Sequence, residues 1–330
     1  MLHLHYLHKT LEYNFLQIDN VEKTVNSITN FVNEEIFKKM GKQGAVIGIS
    51  GGIDSSVMAA ICAKSIDPMN ILGIIMPEKE SDPESELLGE EIAKQLEIQT
   101  QKIDITSILE SFGVYEKKEK IVKEKFPDFD KNCKYRVAIP SKFSSSIGIP
   151  FLEILDDKGK TQKFKISTTE FLELTAASSI KHRVRMTMLY YYAEKNNFCV
   201  VGTTNKTEFL QGYFVKYGDG GTDIEPLTKL YKSQIYQIGK FLKIPQKIMK
   251  KNASPDIWSF NTSDEEFFYS VPYHIVDLIL YARQNNIPKL EIQKKSNLSI
   301  EKIYNLIQSQ NQKQTKSQHM REIPHSWNNI

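Results

Sequence analysis

The run Val46-Ile47-Gly48-Ile49-Ser50-Gly51-Gly52-Ile53-Asp54-Ser55-Ser56 leaves this chain few possible folds. An apolar, β-branched stretch enters a Ser-Gly-Gly turn, and a small-residue segment of helical character, Val57 to Lys64, follows. The pattern predicts a buried strand, a tight loop and the N-terminus of a helix. Two adjacent glycines let the backbone wrap an anion with its N–H groups turned inward, and the helix adds the positive end of its dipole. Ser50, Ser55 and Ser56 supply hydroxyl donors. Asp54 repels phosphate unless a cation lies between them, and Mg²⁺ bridging the carboxylate to phosphate oxygens removes that conflict. A plain strand-to-helix turn with serine and aspartate caps is the alternative, and the complete string favours phosphate. It is not a Walker A loop, because no Gly-Lys-Ser/Thr is present.

Around this loop the chain alternates. Val21, Val25, Ile28, Phe31, Val32 and Ile36 have helical spacing over residues 20–40, with Asn20 as the cap. Ile71 to Met76 is a continuous apolar run of buried-strand type, closed by Pro77. Glu84 to Leu96 predicts a helix and Gln101 to Ile105 a short strand. Strand, helix, strand, helix, strand at this spacing predicts an α/β fold with a doubly wound parallel sheet, and ligands of such sheets bind beyond the carboxyl ends of the strands. From 115 to 165 the pattern breaks. Lys and Glu dominate 116–125, and Phe151 to Leu155 with Thr161 to Ile166 predict a β-hairpin around Gly159. This segment is an insertion projecting from the sheet, either a solvated elaboration or a lid or substrate wall. Glu173 to Asn196 returns to helix and Cys199 to Gly202 to buried strand.

The net charge of +3 is scattered, which gives no nucleic-acid footprint. No apolar run reaches membrane-spanning length, and the first ten residues lack the apolar core of a signal peptide. His3, His5 and His8 are either metal ligands or part of a surface end. Cys62, Cys133 and Cys199 are odd in number and far apart, which predicts a reduced, cytoplasmic protein.

Two later stretches carry chemistry. Thr203-Thr204-Asn205-Lys206-Thr207-Glu208 opens at a strand end, facing the rim where the first loop lies; Glu208 either shares the metal with Asp54 or complements a helix dipole. Gly212 to Thr222 combines Lys216, Asp219 and open backbone at Gly218, Gly220 and Gly221, more than turn chemistry requires. Pro226-Leu227-Thr228, Lys232 and a helix from Ser233 to Phe241 come next. Helices are expected at Ile275 to Ala282 and Leu298 to Gln308, and a mobile polar loop over 309–318.

Taken in order, Ser50–Ser56, Arg183-Val184-Arg185-Met186, Gly202-Thr203 with Glu208, Lys216-Tyr217-Gly218-Asp219-Gly220-Gly221, Asp223 with Pro226-Leu227-Thr228, Lys232, Ser254-Pro255-Asp256-Ile257-Trp258 and His319-Met320-Arg321 resemble the NAD synthetases. That family lies within the ATP pyrophosphatase superfamily, of the adenine nucleotide alpha hydrolase type. The resemblance covers residues 20–113, 170–280 and the tail near 319. It implies a two-step amidation. The carboxylate of deamido-NAD attacks the α-phosphate of ATP, pyrophosphate leaves, and ammonia then displaces AMP to give NAD. By position, Ser50, Gly51, Gly52, Ser55 and Ser56 would hold the ATP phosphates, and Thr203, Lys232 and Ser254 would contact ATP. Asp54 and Glu208 would bind Mg²⁺. Arg183, Lys216 and Asp223 would contact deamido-NAD, with His319 closing over it, and Asp219 would orient ammonia or take its proton.

The resemblance also implies a homodimer. Too few residues precede the loop for a glutaminase domain, and Cys62 sits inside the loop helix, so free ammonia, or ammonia from a separate protein, is the expected nitrogen donor. The expected layout is one synthetase-like domain over 1–330, an inserted subdomain at 115–165, and a C-terminal helical extension and substrate-closing tail at 283–330. The chain departs from the family pattern at the insertion, at Ser179, Ala253 and Phe268, and at Met320, where a lysine is usual. These departures keep open a paralogue that amidates another carboxylate, such as a sugar acid or a biosynthetic intermediate. A non-catalytic nucleotide binder has no need for both Asp54 and Glu208.

Overall fold

The computed structural model of the chain describes residues 14–138 and 150–327, so His3, His5 and His8 lie outside the described residues. Asn20 opens the helix Val21–Asn33 by accepting the N–H of Lys23 at 2.8 Å, and wider turns carry it on to Lys39. The strands among the described residues are β1 (Ala45–Gly48), β2 (Ile71–Ile75), β3 (Gln99–Lys102), β4 (Lys134–Ala138), β5 (Phe151–Leu155), β6 (Thr161–Lys165) and β7 (Cys199–Val200). They form two sheets. One is parallel, in the order β3-β2-β1-β7, with Ala45 opposite both Ile71 and Cys199. The other is antiparallel, β4-β5-β6.

Successive strand residues point to opposite faces, and both faces of the parallel sheet are covered. Ala45 and Ile47 pack in a core with the helices Val21–Asn33, Ile53–Ser65 and Pro83–Gln95. Val46, Ile74 and Val200 pack on the other side with Val184 and Ala193 of the long helix Thr168–Asn196. This is the doubly wound arrangement that the alternating pattern predicts, and it explains why β1 and β2 are continuous apolar runs. Among the described residues no helix is long and apolar enough to cross a membrane. All three cysteines are free and buried.

Several boundaries differ from expectation. The third strand is Gln99–Lys102 rather than 101–105; its four residues are exposed, and the apolar Ile103 and Ile105 follow it. The stretch 116–125 is helical, within Val114–Lys125: Val114, Tyr115, Lys118, Ile121 and Val122 form one buried face that the Lys and Glu content hides. The long helix begins at Thr168, ahead of Glu173, because Ser167 and Glu170 form a reciprocal capping box. The hairpin forms as β5 and β6, joined by β4 and sharing a core with Leu174, Ile257 and Trp258. Residues 309–316 extend the helix Ile300–Lys316 where a mobile loop was expected; Gln310 is buried on its inner face and donates to the carbonyl of Val276 at 3.1 Å.

Candidate active site

The first loop turns at Gly51, whose φ of +69 suits glycine, and a Cβ there would lie 2.2 Å from the carbonyl oxygen of Ser85. The hydroxyls of Ser50 and Ser55 are 3.0 Å apart, and Ser55 also donates to the Gly52 carbonyl at 3.0 Å. They face a cavity of about 1250 Å³ at the carboxyl ends of the parallel strands. Ser50, Gly52, Asp54 and Ser55 line it. Gly51 and Ser56 are not on its wall. Ser56 is fully buried and donates to the Gly52 carbonyl at 2.8 Å, so it shapes the first helical turn.

Asp54, in the first turn of the helix Ile53–Ser65, meets Glu208 of the helix Lys206–Gln211 across one cation. The Lys232 ammonium contacts Asp54 and lies 3.4 Å from Glu208 Oε1. The Asn205 amide donates to Asp54 Oδ1 at 2.9 Å, and Asn205 and Glu208 cap their own helix reciprocally. Burial pushes the Glu208 carboxyl up to about 8, against the pull of Lys232. Burial works against the charge on Lys232 too, yet Asp54 and Glu208 outweigh it and hold its pKa well above the ordinary value. Two carboxylates converging on one point make a hard-oxygen pair that, with phosphate oxygens and water, suits Mg²⁺. The donor set therefore fits a magnesium ion, although no group of three or more candidate ligands occurs among the described residues.

The opening of the Lys232 helix is itself held from behind. The Lys232 N–H donates to Thr207 Oγ1 at 3.1 Å, Thr207 donates to Asp277 at 2.5 Å, and Asp277 accepts the Ser233 N–H at 2.8 Å. Burial pushes the Asp277 carboxyl up to about 6 in spite of these bonds. Asp264, buried nearby, accepts from Tyr213 and Tyr273 at 2.8 and 2.7 Å.

The second informative stretch lies on the same cavity. Lys216 and Asp219 line it with Thr203, Arg183, Ser254 and His319. Asp219 Oδ1 accepts the Val215 N–H at 2.7 Å and closes its own loop; His182 Nδ1 is 3.8 Å away. Lys216 Nζ donates to the carbonyls of His319 and Glu322 at 2.7 and 3.3 Å, tying the tail to the loop. Arg183 lies 3.5 Å from the Lys216 carbonyl. Asp223 is not on the wall: it is exposed and accepts from Tyr190 and from the N–H of Val200, at 3.0 and 2.8 Å. Residues 115–138 and 150–165 do not line the cavity either, so these parts of the insertion stand behind the wall.

Four further features escaped the sequence reading. Asp264 is one acid of a polar, acidic stretch and Asp277 an acid in an apolar helix, and neither gave a further signal. Glu225 accepts from Thr222 and Thr204 at 3.0 and 3.3 Å, and burial pushes its carboxyl up to about 7. Lys118 and Lys181 are fully buried against Glu78 and Glu80. A lysine on an otherwise apolar helix face was the readable sign of that cluster.

Known proteins resemble the chain in sequence and in fold. The sequence model of the family described as NAD synthase matches residues 24–152 and 142–324. The NH(3)-dependent NAD(+) synthetase of Rhizobium rhizogenes is 34% identical over 298 residues, covering 90% of this chain and 90% of that protein. The enzyme of the same description from Thermotoga maritima is 34% identical over 262 residues, 79% of this chain and 86% of that one. Among solved structures, the NMN synthetase from Francisella tularensis superposes with a TM-score of 0.66 at 23% identity, over 94% of this chain and all of that one. The NH3-dependent NAD synthetase from Campylobacter jejuni gives 0.63 at 22%, over 94% of this chain and 100% of its own. At such identities the two structures speak for the fold, while the matched sequence model and the relatives identify the family: the chain belongs to the NAD synthases.

Proposed function

We propose that this chain is a ligase that amidates deamido-NAD to NAD with ATP and ammonia, releasing AMP and pyrophosphate. The observation that carries the reading is the convergence on one cavity of the Ser50–Ser55 loop, the Asp54–Lys232–Glu208 cluster and the Lys216–Asp219 loop. Relatives named NH(3)-dependent NAD(+) synthetases support ammonia as the nitrogen donor.

A carboxylate is a poor electrophile, and transfer of AMP to it creates a good leaving group. The task of the protein is therefore positioning and charge neutralisation. Ser50, Gly52 and Ser55 bind the ATP phosphates, with Gly51 and Ser56 holding the loop in shape. Asp54 and Glu208 hold Mg²⁺, which when bound offsets phosphate charge and makes the α-phosphorus more open to attack. Lys232 brings a second positive charge to the same point, and Thr203 and Ser254 contact ATP. Arg183, Lys216 and His319 take deamido-NAD. Asp223, off the wall, acts on that substrate through the segment it ties to β7. Asp219 orients ammonia toward the acyl carbon or takes its proton.

The reading includes a homodimer and a cytoplasmic location, the latter supported by three unpaired cysteines. It also includes one synthetase domain with 115–165 as an inserted subdomain and 283–330 as a C-terminal extension. The test is purified protein with ATP, Mg²⁺, ammonium and deamido-NAD, read as NAD by a coupled dehydrogenase. Turnover that is lost in Asp54→Ala supports the reading. A folded, ATP-binding protein that makes no NAD overturns it and points to another carboxylate.

A further inference from the structure

Two stretches line the cavity, the loop that follows β2 with the first helical turn it runs into (residues 76–86) and the loop over 251–264. Buried charge joins them. Lys118 and Lys181 both donate to the carbonyl of Ile257 in the second loop, at 2.9 and 3.1 Å. Both also bind Glu80 of the first loop, and Lys181 reaches Glu78 at 2.6 Å. The hydroxyls of Tyr115 and Tyr135 complete the cluster, donating to Glu78 and Glu80 at 2.7 Å each. The Lys118 ammonium also stands 4.6 Å from the centre of the Trp258 ring.

Such a cluster is a poor way to gain stability. Desolvating two ammonium groups and two carboxylates offsets most of their attraction, and apolar side chains of similar volume hold helices together as well or better. Apolar side chains do not, however, tie the carboxylates of one stretch to a backbone carbonyl of the other at one point. The pinning extends toward the phosphate loop. Asp256 accepts the Asp82 N–H at 2.9 Å, Lys251 bonds Ser85 at 2.9 Å and pairs with Asp82 at 3.3 Å, and the Ser85 carbonyl packs against Gly51. Lys118 and Tyr135 come from the insertion, whose described residues leave the cavity wall to others.

We propose that Lys118 and Lys181 are positioning residues that fix the spacing of these two stretches and so shape the ATP-binding half of the cavity, and that residues 115–138 of the insertion supply Lys118 and close over the pair with Tyr115 and Tyr135. The inference rests on the reading of the first loop as an ATP site. It does not depend on which carboxylate is amidated.

The test is ATP affinity by titration calorimetry with Mg²⁺ and no acyl substrate, alongside unfolding in urea. Lys118→Met is expected to weaken ATP binding about tenfold. It also leaves a buried carboxylate short of one partner, so it loses stability. The double variant Lys118→Met/Glu80→Gln removes both charges and is expected to recover stability without recovering ATP affinity. Tyr135→Phe keeps every charge, folds, and is expected to weaken ATP binding about threefold. Wild-type ATP affinity in the double variant and in Tyr135→Phe overturns the proposal and leaves the cluster a structural one. If the wild type binds ATP but makes no NAD, the proposed activity fails and the ATP affinities still decide this point. If the wild type binds no ATP, both readings fail.

Discussion

Lys232 Nζ lies 3.4 Å from Glu208 Oε1 while it contacts Asp54, so one ammonium bridges the carboxyl groups of two different helices. Replacing Asp54 by Asn leaves Lys232 paired with Glu208, and the fold is expected to survive. Turnover is expected to fall at least about a hundredfold, because charge stabilisation is lost where the phosphates bind. Steady-state NAD formation and a urea melt on the same preparation check both halves. Near-wild-type turnover would remove Asp54 from the machinery.

Asp277 acts further back. It holds the Thr207 hydroxyl and the Ser233 N–H, which together fix the first turn of the Lys232 helix. Asp277→Ala leaves the buried Ser233 N–H without its acceptor and the Thr207 hydroxyl with nothing to donate to, at a cost of about 2–4 kcal/mol. A lower kcat is expected with it, since the Lys232 backbone bonds the same Thr207. Denaturant unfolding and kcat at saturating substrates measure the two effects. A stable variant with normal kcat would contradict the network.

Glu225 gives a pH dependence of definite sign. Burial raises its carboxyl from 4.5 to about 7. Between those values the folded chain holds a proton that the unfolded chain has lost, so this group's contribution to stability falls as pH rises through that window. Above pH 7 the folded chain buries a charge. Glu225→Gln is expected to gain about 1–2 kcal/mol at pH 8, after allowance for partial exposure, and the gain shrinks toward pH 5. Urea unfolding at both pH values decides it, and a gain independent of pH would be the contrary result.

Glu80 behaves in the opposite sense. Burial works to raise its pKa, but Lys118 and Lys181 pull it from 4.5 down to about 2. The stability it contributes is full above about pH 4.5 and is lost as pH falls toward 2. Glu80→Gln is expected to be less stable than wild type at pH 7, and the two unfolding curves should converge as the pH drops through that window. A constant gap would show that the carboxylate is not charged in the fold.

Much of this was legible in the sequence, for identifiable reasons. The β1–loop–helix unit announced itself because a strand buried on both faces must be apolar throughout, and because the turn at Gly51 has room for no side chain. Lys216 and Asp219 stood out because cation, carboxylate and glycines crowd one short loop. Lys118 did not, since a lysine in a Lys/Glu-rich helix looks solvated until its helical face is drawn, and Lys181 did not, since its carboxylate partners lie about a hundred positions away. Glu225, Asp264 and Asp277 depend on partners 3 to 70 positions away, which no local pattern reveals. The tail helix was expected over 298–308, and its last turns were missed because its buried side, Ile303, Leu306 and Gln310, ends in a polar residue.

Lys216 grips the tail through the carbonyls of His319 and Glu322, groups that every residue carries. A bond of this kind asks for a path, not for a residue. The Met320 side chain is therefore free to change without loosening the grip, whereas Arg321 anchors the same stretch through the carbonyls of Phe209 and Gln314, at 3.0 and 2.6 Å. Length is not free: one residue added or removed between Ser317, whose hydroxyl binds Arg321 at 2.9 Å, and Glu322 would carry both carbonyls out of reach. What this grip measures is the count of residues along the tail, a ruler laid from Ser317 to Glu322.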